Sequence, residues 1–106
     1  MKKLVSYLWS NKSFKDRING KGCIGIRFSK SFIDFFKDKK EIKLILFDDE
    51  INFLVNDRFF KYPIFCDRKI KKIIIEKSLH SWKKNKNPKI VFKIINDNTL
   101  KLIKIL

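Results

Sequence analysis

The chain has 106 residues, 44% of them hydrophobic and 11 of them Phe, with 26 Lys and Arg against 11 Asp and Glu for a formal net charge of +15. That length fits one domain, 1–106, with apolar material for a single core. It excludes a membrane-spanning helix, because no run approaches the roughly 18 apolar residues that a span needs. A charge excess of this size attracts polyanions whatever the fold, and nucleic acid is the commonest of them. The abundance of Lys, Ile, Asn and Phe and the scarcity of Ala and Gly also fit an AT-rich genome, which raises Lys at solvated positions; acidic residues stay few all the same.

The opening segment Lys2–Trp9 (KKLVSYLW) reads as a first strand, with a helical turn as the lesser option. Its apolar run is short and broken by Ser6, so no secretory signal is expected and the chain is assigned to the cytoplasm. Cys23 and Cys66, far apart in sequence, are then expected as two buried free thiols, with a disulfide as the lesser alternative. Ser10–Gly22 is a polar, basic connection with Asn-Gly and Gly-Lys-Gly turn signals, long enough to suggest a functional loop. Cys23–Phe28 is strand material, and Ser29 stands at an N-cap before Phe32, Ile33, Phe35 and Phe36. Their spacings of three and four gather them on one side of a short helix that ends at Lys37–Lys40.

Ile42–Phe47 and Ile51–Val55 form a hairpin around the acidic turn Asp48-Asp49-Glu50. After the interruption Asn56-Asp57-Arg58, the run Phe59–Phe65 is apolar and aromatic, and Pro63 makes it an edge or bent strand. Asp67–Lys77, with Ile70 and Ile73-Ile74-Ile75 in a Lys-rich frame, reads as a strand. Ser78–Lys84 reads as a short helix capped by Ser78, with Leu79 and Trp82 on its inner face. Asn85–Pro88 is a turn, and Ile90–Ile94 and Leu100–Ile105 are closing strands around Asn96-Asp97-Asn98. Seven or eight short strands with two short helices make a mainly β fold, a small barrel or curled sheet with helices at its ends.

With that order in hand, the layout resembles the B3-type DNA-binding domain, found in plant transcription factors and in recognition domains of some bacterial restriction enzymes. Ile24-Gly25-Ile26-Arg27-Phe28-Ser29-Lys30-Ser31-Phe32 is similar to that family's strand and Pro-Lys helix start, with Ser29 in place of Pro. Lys43–Val55 resembles its central hairpin. Leu79-His80-Ser81-Trp82 and Asn87–Lys93 resemble its second helix and following strand, with Pro88-Lys89 where Gly-Asp is common, and Leu100–Ile105 its last strand. The resemblance spans nearly the whole chain through pattern and order. It implies a seven-stranded open pseudobarrel with two short helices that grips the major groove of double-stranded DNA with two arms. The first arm would be Ser10–Gly22 and the second would surround Asn56–Tyr62.

Both arms carry fitting chemistry. In the first, Lys12, Lys15, Arg17 and Lys21 supply cations, with Ser13 and Asn19 as short hydrogen-bonding partners. Arg pairs bidentately with guanine and Asn with adenine, while Lys and Ser suit phosphates. In the second, Asn56, Asp57, Arg58, Lys61 and Tyr62 combine donors with one carboxylate that can accept from cytosine. Arg27 projects opposite its apolar strand neighbours and is expected either between the arms or simply exposed, whereas Arg68, Lys69, Lys71 and Lys72 are expected on a solvated strand face, with phosphate contact as the secondary option. The blander alternatives are a solvated loop for the first arm and a hairpin with an Asp57–Arg58 surface pair for the second.

Catalytic signals are thin, and no catalytic residue, metal site or cofactor is assigned. Glu41-Ile42-Lys43 has the local spelling of a nuclease element, but Asp34 and Asp38 lie too close before it. One His and two Cys without close pairing cannot build a four-ligand metal site. The expectation is therefore a non-enzymatic, sequence-specific DNA-binding domain. A start at Met1 and a stop on the last strand suggest an N-terminal recognition domain of a larger restriction-type protein. The alternatives are a small stand-alone RNA-binding or phage-type inhibitor protein, or a small basic ribonuclease toxin using the single histidine, His80.

Overall fold

Alternation along the first strand sets the inside and outside of the molecule. In a computed structural model, which describes residues 2–106, β1 (Lys3–Ser10) buries Leu4, Ser6 and Leu8 and leaves Tyr7 on the outer face. The same period-two pattern buries Ile24, Ile26 and Phe28 of β2 (Ile24–Phe28) and Ile42, Leu44 and Leu46 of β3 (Glu41–Leu46). The remaining strands are β4 (Asp49–Leu54), β5 (Ile64–Cys66), β6 (Lys89–Asn96) and β7 (Thr99–Ile105).

The seven strands form one sheet in the order β4-β3-β7-β6-β1-β2-β5, antiparallel throughout except for the parallel pair β3–β7. The two edges, β4 and β5, share no backbone ladder. They meet through side chains: the rings of Phe53 and Phe65 stack with centroids 4.3 Å apart. The sheet is thus a seven-stranded open pseudobarrel, with a seam between β4 and β5. Phe28 is the hub of its interior, with the rings of Phe36, Phe65 and Phe92 at 5.1, 5.2 and 5.8 Å. Gly25 is required where β5 pairs closely with β2, since a Cβ there would collide with the carbonyl oxygen of Phe65.

Helices depart from expectation at several places. A 3-10 helix, Lys30–Phe36, does follow the Ser29 cap. The first connection, expected as loop, contains α1 (Phe14–Ile18), nucleated by Ser13, whose side chain accepts from the Asp16 amide. The Ser-x-x-Asp spacing is a capping-box signal that the turn residues around it obscured. The second connection, expected to run into a long bent strand, forms α2 (Asp57–Lys61), with Asn56 Oδ1 accepting from the Phe59 amide at 3.1 Å. Only Ile64–Cys66, after Pro63, is strand.

Asp67–Lys77 is not a strand. It forms α3 (Arg68–Glu76), capped by Asp67 Oδ1 on the Lys69 amide at 2.7 Å. Ile70, Ile73 and Ile74 are buried at i, i+3 and i+4, a helical stripe that outweighs the strand preference of three consecutive β-branched residues. Ser78 begins no helix. At φ +55° it is the left-handed residue that stops α3, its amide donating to Ile75 and the Leu79 amide to Ile74. The segment 79–88 is irregular.

The thiols also differ from the first expectation: Cys23 and Cys66 are joined in a disulfide, with Cα atoms 6.4 Å apart. Pairing of Gly25 with Cys66 across β2–β5 brings Cys23, two residues earlier, alongside it. No helix among the described residues is long and apolar enough to cross a membrane.

Candidate nucleic-acid interface

Charge is distributed unevenly over the barrel. β1, β2, β5, β6 and β7 contain no Asp or Glu, while β3 and β4 carry Glu41, Asp49 and Glu50. On the outer face of the acid-free strands, Lys3, Lys93 and Lys101 are direct cross-strand neighbours in one row. Lys89, Tyr7, Arg27 and Ile64 make a second row. Like charges placed directly opposite each other repel and cost stability. Two salt bridges form among the described residues, Lys37–Asp34 at 3.0 Å and Lys43–Glu50 at 3.7 Å, and neither touches this face.

The seam of the barrel opens into a groove of about 490 Å³. Trp9, Asn11 and Cys23 line one side, at the roots of the first connection; Leu54, Asn56, Arg58 and Tyr62 line the other. The two connections therefore do border one concave surface, although it is Asn11, not Lys15, that faces Arg58 across it. Beside it lies a second concavity of about 350 Å³ with Arg27, Lys30, Lys61 and Tyr62 in its walls. A third, of about 480 Å³, is bounded by Tyr7, Trp9, Arg27, Lys30, Asn85 and Asn87.

The expected site residues fall into three groups. Arg27, Asn56, Arg58, Lys61 and Tyr62 are exposed and brought together around these hollows, and Asp57 is exposed in the first turn of α2. Lys12, Ser13, Lys15, Asn19 and Lys21 are exposed but line none of the three. Ser13 and Asn19 serve α1 itself, the latter donating from Nδ2 to the Lys15 carbonyl at 2.9 Å.

Arg17 stands apart, and its expected role in reading guanine does not suit its position. It is only 4% exposed, with its guanidinium over the Trp82 ring at 3.8 Å. Nε donates to the His80 carbonyl at 2.8 Å, one terminal nitrogen to Lys12 at 3.3 Å and the other to Trp82. Burial pushes its pKa below the ordinary arginine value. It pins α1 to the irregular segment after α3. The same connection is held by Lys71, whose Nζ donates to the carbonyls of Gly20 at 2.6 Å and Gly22 at 2.8 Å. Lys71 is thus a brace, while its neighbours Arg68, Lys69 and Lys72 are solvated on a helix and not on a strand.

Sequence reasoning missed Tyr7, Trp9 and Asn11. The signal was present in β1, where Leu4, Ser6 and Leu8 alternate with Val5, Tyr7 and Trp9, so that two aromatics share the outward parity. Lys30, Asn85 and Asn87 join the site only through tertiary packing. His80 is part-buried, with its Nδ1 lacking a hydrogen-bond partner and its carbonyl bound to Arg17. No group of three or more His, Cys, Asp or Glu among the described residues is arranged to hold a metal ion.

Protein-family models, curated proteins and solved structures were each compared with the chain, and none matches.

Proposed function

We propose that this chain is a non-catalytic, sequence-specific binder of double-stranded DNA. The observation that carries the proposal is the segregation of charge: five neighbouring strands carry no acidic residue, and their outer row Lys89-Tyr7-Arg27-Ile64 ends in the wall of a groove that both connections border. A uniform compositional excess of Lys would not clear carboxylates from one side of a barrel. A face that repels itself is compensated when phosphates neutralise it and their counterions are released. Asn56 and Arg58, which line the seam groove, and Asp57 between them in the first turn of α2 are the candidates for base edges in the major groove. Lys12, Lys15, Lys21, Arg27, Lys61 and Tyr62 suit phosphates that set register.

The B3-type resemblance favours the same reading through its strand order and central hairpin, while the residues matched to its second helix, Leu79–Trp82, are irregular and the helix before β6 is α3. On that analogy the chain acts as the recognition domain of a larger restriction-type protein. Selection of bound duplexes from a random pool, followed by a salt series on the selected duplex, a scrambled one and RNA of the same sequence, tests the proposal. One preferred duplex sequence and a steep loss of affinity with salt are expected. Equal or tighter binding to RNA would transfer the chain to the stand-alone RNA-binding class.

A further inference from the structure

Trp9 occupies an unusual place in this surface. It is the one side chain that borders all three hollows, and its cross-strand partner, Gly25, brings no side chain to cover it. Arg27 and Lys30 are shared by the two outer hollows, so an indole, a guanidinium and an ammonium together form the ridge between them. Flanking the ridge are two more exposed rings, Tyr7 at 38% and Tyr62 at 58%. An aromatic face with cations at its rim matches the chemistry of a nucleotide lifted out of its stack. The base stacks on the ring whatever its identity, and the phosphate takes the charge. A paired base cannot use it, because both its faces are already covered by neighbours.

The third hollow, at about 480 Å³, has the size of a small-ligand cleft. Its far wall supplies edge recognition. Asn87 donates from Nδ2 to the Leu8 carbonyl at 2.7 Å, which fixes the amide and leaves its oxygen free to accept. Asn85, held at φ +63°, presents a second amide from the same turn. An amide oxygen held in this way accepts from an exocyclic amino group, as on adenine or cytosine.

We propose that Trp9, Arg27 and Lys30 form a receptacle for a single unstacked nucleotide of the bound DNA. The base lies against the indole, the phosphate lies between the two cations, and Asn85 and Asn87 stand at the base edge. This rests on the DNA-binding function proposed above and names the DNA feature that its outer face selects. It makes a duplex with one extrahelical nucleotide a better ligand than a fully paired one.

Three labelled probes titrated against the full chain by fluorescence anisotropy test it: a paired duplex, the same duplex with one bulged adenosine, and one whose bulged nucleotide lacks its base. The bulged adenosine is expected to improve affinity on the order of tenfold, the value of one base–aromatic stack, and the abasic bulge to lose that gain. Trp9→Ala is expected to bring the ratio of bulged to paired affinity to about one, and Trp9→Phe to retain part of it. Equal affinity of the wild-type chain for all three probes would overturn the receptacle and leave duplex binding standing. Binding to none of them would instead overturn the DNA-binding function itself. A fourth probe, the labelled single strand alone, bound more tightly than any duplex and with the same dependence on Trp9, would support the receptacle and remove the duplex.

Discussion

The two polar connections look alike in composition and behave oppositely in the fold. The first, residues 11–23, is tied down along its length: by Arg17 on three carbonyls, by Lys71 on two, by Asn11 Oδ1 on the Cys23 amide at 2.9 Å, and by the Cys23–Cys66 disulfide. The second, residues 55–63, is held mainly by the Asn56 cap and the burial of Phe59, while Arg58, Lys61 and Tyr62 face outward. Cation content therefore does not by itself locate a binding surface. A short helix can spend its arginine on its own anchorage, and only the position of that arginine relative to the buried elements shows which is the case.

That contrast can be broken at several points. The largest expected effect is on the disulfide. Its two cysteines are 43 residues apart, and opening a loop of that size is expected to cost about 4 kcal/mol of unfolding free energy. Urea denaturation with and without reductant measures it, and coincident curves would mean that the bond adds nothing. Next, Arg17→Ala strands the carbonyls of His80 and Trp82 and is expected to cost about 3 kcal/mol. Arg17→Lys should not restore it, because an ammonium cannot reproduce the planar fork. An Arg17→Ala protein of wild-type stability with weakened DNA binding would return that residue to the interface.

Arg58→Ala should act the other way, changing stability by no more than about 0.5 kcal/mol while reducing affinity for the preferred duplex on the order of tenfold. Competition with scrambled DNA checks it: a uniform loss across sequences would make Arg58 a phosphate contact. The smallest effect is assigned to Lys15→Ala and Lys61→Ala, each expected to lower the slope of log affinity against log salt by about one. An unchanged slope for Lys15→Ala would remove that residue from contact with the DNA backbone.

Much of the architecture was legible in period-two alternation. The hairpin β3–β4, the closing pair β6–β7 and the strand–helix unit around Ser29 follow directly from residue order, because each is local. What failed did so for stated reasons. Ile73-Ile74-Ile75 favours a strand by propensity, yet Asp67 as cap and the spacing of Ile70 from Ile73 and Ile74 specify a helix. Ser78 looks like a start and is a stop, since a left-handed residue depends on what precedes it. In the site, exposed cations on α2 were readable, but the burial of Arg17 depends on carbonyls 63 and 65 residues away. The shared hollows around Trp9 arise only once seven strands have curled.

The lysine row on the outer sheet face carries a thermodynamic signature of its own. Lys3, Lys93 and Lys101 push on one another in the free protein, and mobile ions relieve that pressure within a Debye length of about 10 Å at 0.1 M. Sodium chloride is therefore expected to raise the melting temperature of this protein over the same range in which it strips the protein from a polyanion. A molecule that grows sturdier as its grip fails separates loss of contact from loss of structure in a single titration.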